Sequence, residues 1–254
     1  MFEIGMYNPE VGESSYNGQI GNKIGANCNK ESKYGMTGTE VRLTAPYILS
    51  FKEHDTRFET VVADMEVDKN SKGIITNRLW EYNPGKWRAW GGPTYMNDYT
   101  NWIYMRYADV LLMFAEAENY IHHGPTDAAI KALKEVRKRA CTDTEGKLDE
   151  SALNAMNSAY YKTDFMEELL DERSRELCVE GWRRIDLIRT GKMTEVIGNM
   201  KTVNDAGNKY YYFAPQMEPI KNNYKPYKIW MPVPKREREV NKNLSQNPGY
   251  SQTI

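Results

Sequence analysis

The densest grouping of ionisable residues is Glu172-Arg173-Ser174-Arg175-Glu176, followed by Glu180, Arg183, Arg184 and Asp186. Two of these carboxylates would suit an acid–base pair. General acid–base work, however, needs one carboxyl held away from positive charge, so that its pKa rises toward neutrality. Here every Glu has Arg neighbours, which favours the ionised form. Arg173, Glu176 and Glu180 stand three and four residues apart, share a helix face and are expected to pair with one another. The cluster therefore predicts a structural ion network. His122 and His123 are adjacent, so on a helix they point about 100° apart and chelate one metal poorly. As cations they suit a helix C-terminus instead. Asp64, Glu66, Asp68 and Asn70 suggest a calcium loop, but no Gly stands at the sixth position and no Glu at the twelfth. A solvated strand face is the expectation. The sequence contains no HExxH, GxSxG, phosphate-loop or CxxC pattern. We expect no catalytic residues, no metal site and no cofactor.

A different chemistry stands in residues 80–99. Pro84, Gly85, Gly91, Gly92 and Pro93 mark a loop, yet it holds Trp80, Tyr82, Trp87, Trp90, Tyr95 and Tyr99. Loops lie mostly at surfaces. Flat indole and phenol faces stack on sugar rings or on peptide side chains, and Arg88 supplies a polar contact. Trp80, Tyr82, Trp87, Arg88, Trp90 and Tyr95 are the candidate ligand-binding residues. The alternative is a loop that folds back and buries its own rings. Glu81 and Asp98 flank the aromatics without forming an obvious acid–base pair.

These groups need a frame. The 254 residues are 40% hydrophobic and 27% charged, a globular composition. A net charge of -1 gives no general attraction to nucleic acid. The apolar pattern predicts a helix over Met105 to His122, apolar on most of its circumference and so needing cover on most sides. Exposed apolar surface is expected along Leu111, Met113 and Phe114. Gly124-Pro125 ends it, and Thr126 caps a second helix from Asp127 to Ala140. Two helices joined by so short a turn resemble one tetratricopeptide hairpin. A weaker helix follows over Ser151 to Tyr161. Asp164, with Glu167 three residues on, predicts a capping box for a helix through Leu177. Gly181 breaks it, and Trp182 to Arg189 resumes with Gly191 as its cap. Thr44 to Phe58 reads as partly helical, Thr60 to Asn70 as a half-buried strand turning at Lys69–Gly73, and Ile229 to Val233 as a short strand. Residues 1–40, 201–228 and 241–250 read as loop, the first with short strands. Cys141 and Cys178 fall in helical patterns and are expected as buried thiols; Cys28 lies apart. No apolar run reaches the roughly 18 residues of a membrane span, and Met1 to Ile20 carries no export signal.

Three segments together resemble the SusD/RagB family. Met105-Arg106-Tyr107-Ala108-Asp109-Val110-Leu111-Leu112, with Ala115-Glu116-Ala117, is similar to the family's R-[YF]-A-[DE]-V-x-L-x-x-A-E-A. Glu172-Arg173, Glu176-Leu177, Glu180-Gly181-Trp182-Arg183-Arg184 and Asp186-Leu187-Ile188-Arg189 are similar to its E-R-x-x-E-L-x-x-E-G-x-R-x-x-D-L-x-R. Trp230-Met231-Pro232-Val233-Pro234, then Glu237 or Glu239, and Gln246-Asn247-Pro248-Gly249-Tyr250 resemble its ending. Asp55-Thr56-Arg57-Phe58 resembles its D-x-R-F. The resemblance implies a mainly α fold, tetratricopeptide-like helices beside a loop-rich, irregular ligand-binding part. It implies a non-catalytic cell-surface protein of the outer membrane in Bacteroidetes-type bacteria. Such a protein captures oligosaccharide or polysaccharide, or in the same role peptide or another nutrient, and passes it to a SusC-like TonB-dependent transporter. Contact with the membrane would run only through a lipid anchor. Residues 1–254 correspond to the family's C-terminal region as one domain; the N-terminal helical half, with its lipidated Cys, is not in this sequence. From other classes, a glycoside hydrolase would require a carboxylate pair in an aromatic cleft, and a helical adaptor would lack the aromatic platform.

Overall fold

The computed structural model describes residues 1–5, 24, 41–63, 65–67, 75–77, 82–87, 101–143, 145–203, 208 and 214–251. In chain order the elements are β1 (Phe2–Ile4), α1 (Ala45–Ile48), α2 (Arg57–Val61), β2 (Val62–Ala63), β3 (Met65–Val67), β4 (Ile75–Asn77), β5 (Asn83–Pro84) and β6 (Trp102–Met105). They continue with α3 (Tyr107–Ile121), α4 (Asp127–Lys138), α5 (Glu150–Tyr160), α6 (Phe165–Glu176), α7 (Trp182–Arg189), α8 (Met193–Gly198), α9 (Glu218–Asn223) and α10 (Lys235–Val240). The fold is mainly α. Among the described residues the strands form three antiparallel two-stranded pairs, β1 with β6, β2 with β5 and β3 with β4.

The chain divides into two compact units. The first comprises residues 1–183 and 205–213, the second 184–204 and 214–254.

The first unit is organised by α3, which packs on both α4 and α6. Their seam is made mostly of small and branched side chains, with one aromatic ring: Ala108, Leu112 and Ala115 from α3, Ala129, Ala132, Leu133 and Val136 from α4, Phe165 and Leu169 from α6. Two caps, Thr126 and Asp164, are those read from the sequence, and Asp149 adds a third. Thr126 Oγ1 accepts the Ala129 N–H at 3.1 Å, Asp149 Oδ1 that of Ala152 at 2.9 Å, and Asp164 Oδ1 that of Met166 at 2.8 Å. Each satisfies an N–H that the first turn leaves without an intrahelical partner. The predicted exposed face of α3 is present at Met113 and Phe114, with Val110 and Ile121 beside them. Leu111 differs: it lies partly buried against the seam, next to Leu112. No helix among the described residues is long and apolar enough to cross a membrane.

Three local readings change. The beginning of the predicted 60–70 strand is taken by α2, because Val61 and Val62 are both buried; consecutive burial breaks the alternation of a half-exposed strand. Asp64, Asp68 and Asn70 lie outside the described residues. Residues 214–223 are a 3-10 turn followed by α9 rather than loop. Ile229 to Val233 is not a strand: Pro226–Ile229 is a 3-10 turn and the following residues are without regular structure. Pro232 and Pro234 remove the N–H donors that a ladder needs.

The second unit holds that segment by side chains. The Gln246 amide bonds both backbone groups of Val233, at 2.7 and 3.0 Å. Asn247 Nδ2 donates to the Met231 carbonyl at 2.6 Å, and the Tyr250 hydroxyl to that of Trp230 at 2.8 Å. Gly249 sits at φ +88°, where a Cβ would collide with the Tyr227 ring.

Candidate functional site

Along the same buried face of α6, past Leu169, the interior turns ionic. Glu172 is fully buried and accepts from Arg57 Nη1 at 2.6 Å, Arg175 Nη2 at 2.8 Å and Arg137 Nε at 2.9 Å. Burial alone would raise its carboxyl pKa. The guanidinium groups of Arg57, Arg175 and Arg137 outweigh burial and hold it well below the usual carboxylate range. Glu176 follows the same balance: burial raises it, and Arg106, Arg57 and Arg139 bring it down. Arg57 also donates to Asp55, by Nε at 2.9 Å and Nη2 at 2.7 Å. Asp55 accepts the Tyr160 hydroxyl at 2.6 Å. The Tyr160 ring in turn lies against Arg175, 3.8 Å from the guanidinium carbon to the ring centroid. A separate buried pair, Arg173 Nη1 to Asp109 Oδ1 at 2.8 Å, ties α6 to α3.

The sequence predicts the network but not its connections. Arg173, Glu176 and Glu180 do not pair with one another along one face. Arg173 takes Asp109, Glu176 takes Arg57, Arg106 and Arg139, and Glu180 takes Arg106 and Lys86. The helix ends at Glu176, and Val179 at φ +51° followed by Gly181 at φ +90° turns the chain sharply, taking Glu180 off the helix face. A β-branched residue with positive φ is strained, and surrounding contacts must hold it there.

That corner receives both ends of the aromatic segment. Lys86 Nζ donates to the Glu176 carbonyl at 2.9 Å and also to Glu180. Arg106 Nε, beyond the segment, reaches both Glu180 oxygens at 3.0 Å. The Trp87 and Trp102 rings stack with centroids 5.4 Å apart and planes at 8°. The Trp102 ring passes 3.5 Å from where a Cβ on Gly181 would stand. The first end is further fixed by backbone bonds, Gly85 N–H to Val61 at 2.7 Å and Leu43 N–H to Tyr82 at 2.8 Å.

Of the six predicted ligand residues, Tyr82 and Trp87 are in the interior, 5% and 3% exposed. Tyr82 packs with Ile48 and Val62, and Trp87 is covered by Trp102. Neither presents a free ring face. Trp80, Arg88, Trp90 and Tyr95 lie outside the described residues, as do Glu81, Asp98 and Cys28. Lys86, Trp102 and Arg137 are parts of the arrangement that sequence reasoning missed. For Arg137 a signal existed, since it stands four and seven residues after Leu133 and Ile130, on the buried stripe of α4. Lys86 follows a Pro-Gly pair and reads as a solvated loop cation.

Chemically, carboxylates fixed among guanidinium groups are poor proton donors near neutral pH. Among the described residues no group of His, Cys, Asp and Glu is arranged to hold a metal ion. Cys141 and Cys178 are buried free thiols, and burial pushes Cys178 up to about 11. Low thiolate content makes it unreactive.

The family model described as the SusD family matches residues 12–250. The chain belongs to the SusD family. Among curated relatives, a SusD-like protein of Formosa agariphila is 34% identical over 159 residues, 61% of this chain and 26% of that protein. Another from the same organism is 37% identical over 103 residues, 40% of this chain and 19% of that protein. A SusD homologue from Bacteroides thetaiotaomicron aligns with TM-score 0.70 at 24% identity, covering 98% of this chain and 51% of that one. Surface glycan-binding protein A of the same species aligns with TM-score 0.61 at 22% identity, covering 98% and 51%. The chain thus spans about a quarter of the curated relatives it matches and about half of these solved structures. The structure gives the SusD motifs a physical reading. Asp55 and Arg57, Arg106, and Glu172, Glu176 and Glu180 belong to one buried ionic cluster, with the Arg173–Asp109 pair beside it on the same helix.

Proposed function

We propose that the protein is a non-catalytic, cell-surface glycan-binding protein. It captures oligosaccharide or polysaccharide at the outer membrane, to which the whole protein is held by a lipid anchor. It then hands the ligand to a SusC-like TonB-dependent transporter. Membership of the SusD family carries this reading. Two of the solved structures sharing the fold support its ligand class: one is named a surface glycan-binding protein, and its structure is also known in complex with laminarihexaose. The ligand contacts fall to Trp80, Arg88, Trp90 and Tyr95, while Tyr82 and Trp87 serve as the buried footing of the same segment. Ring faces on a loop fixed at both ends lose little conformational entropy on stacking.

The test is a calorimetric and affinity-gel screen of the full-length protein against neutral and acidic oligosaccharides, with peptides alongside. Saturable binding of at least one glycan is expected. Binding of peptides alone would move the protein to peptide capture in the same role. Turnover of a bound glycan above a heat-killed control, lost in Glu81→Gln, would make it a hydrolase.

A further inference from the structure

We propose that Glu180 is a positioning residue, tying Lys86 and Arg106, at the two ends of the aromatic segment, to one corner beyond α6. The inference rests on the reading of that segment as the ligand surface. Three observations carry it. First, the Glu180 carboxylate, itself 4% exposed, is shared by cations from opposite ends of the segment. Second, both cations also reach the carbonyl of Glu176, so each end has two acceptors at the corner. Third, the next residue, Gly181, leaves space for Trp102, whose ring stacks on Trp87 from the other end. Charge and ring contacts converge on two consecutive residues, beside a strained Val179.

The arrangement is unequal in a way that makes Glu180 decisive. Arg106 has a second carboxylate, Glu176, but Lys86 has only Glu180 among its described salt-bridge partners. A buried ammonium beside a guanidinium is held by that one carboxylate. Without it, Lys86 must lose its proton or withdraw into water, and the first end goes with it. The second end keeps its tie to Glu176 but loses the stacked ring.

The experiment is hydrogen exchange on the full-length protein, comparing wild type with Glu180→Gln. Exchange should rise about tenfold or more in residues 82–87 and 101–106, while α4 stays within about twofold. Where Glu180→Gln fails to fold, Lys86→Met replaces it; that variant leaves the Arg106–Glu180 pair intact and should raise exchange at both ends through the Trp87–Trp102 stack. Unchanged exchange at both ends in a folded variant overturns the proposal, as does an equal rise across α4. A titration with laminarihexaose forms the second arm. If wild type binds it, Glu180→Gln should weaken binding about tenfold, whereas Lys147→Ala should not. If wild type does not bind it, the wider glycan screen decides the ligand reading, and the exchange arm decides the role of Glu180.

Discussion

Two stretches of the same buried face of α6 differ in kind. The apolar one, Phe165 and Leu169, joins a seam whose other members come from the hairpin α3–α4, close in sequence. The acidic one, Glu168, Glu172 and Glu176, three, seven and eleven residues after Phe165 and so on the same face, binds charges from residues as distant as Arg57. An apolar seam is forgiving, because hydrophobic contacts are non-directional and a truncated side chain leaves a cavity of limited cost. A buried ionic cluster is not forgiving, since removing one member strands the rest in low dielectric. The seam therefore supplies stability, and the cluster dictates which remote segments sit where, including both ends of the aromatic segment.

The largest effect should come from the cluster. Glu172→Gln leaves Arg57, Arg137 and Arg175 around a neutral amide, and a loss of about 3–5 kcal/mol in urea unfolding is expected. Leu112→Ala, in the seam, should cost about 3 kcal/mol. If the charge variant proves the milder by a wide margin, the contrast between the apolar and the ionic stretch fails.

A pH titration sharpens the same contrast. Glu172 and Glu176 have folded pKa values below their unfolded ones, so their contribution is fully present above the unfolded value of about 4.3. It is lost as pH falls from there toward the folded values. Melting temperature should drop steeply below about pH 4 in wild type and in Leu112→Ala. In Glu172→Gln the drop should be shallower; an unaltered pH profile would show that the cluster does not set acid stability.

Smaller effects lie at the edges of both regions. Asp164→Ala removes the cap of α6 and should cost about 1 kcal/mol by the same unfolding measurement. Lys147→Ala, breaking an exposed pair with Glu145, should change stability by less than about 0.5 kcal/mol.

The seam was legible because its periodicity is local: Leu112, Ala115, Leu133 and Val136 declare their faces within their own helices. Thr126, Asp164 and Gly181 are likewise read in place. The cluster was legible only as a composition of charges. Most of its pairs join residues far apart in sequence, and no spacing rule says that Lys86 meets Glu180 or that Trp87 meets Trp102. The same limit applies to the aromatic segment. Gly and Pro content marks a loop, but which rings turn inward depends on partners such as Trp102 and Val62, which lie outside the segment. Burial of Tyr82 and Trp87 divides the six candidates into footing and proposed contact surface.

One paired measurement separates footing from contact surface: glycan affinity and melting temperature of the full-length protein carrying Trp90→Ala or Trp87→Ala. Trp90→Ala should weaken binding about 30-fold, the equivalent of about 2 kcal/mol, with the melting temperature almost unchanged. Trp87→Ala should lower the melting temperature by several degrees. Equal destabilisation by the two variants, with affinity untouched by Trp90→Ala, would make Trp90 a core residue and remove it from the contact surface.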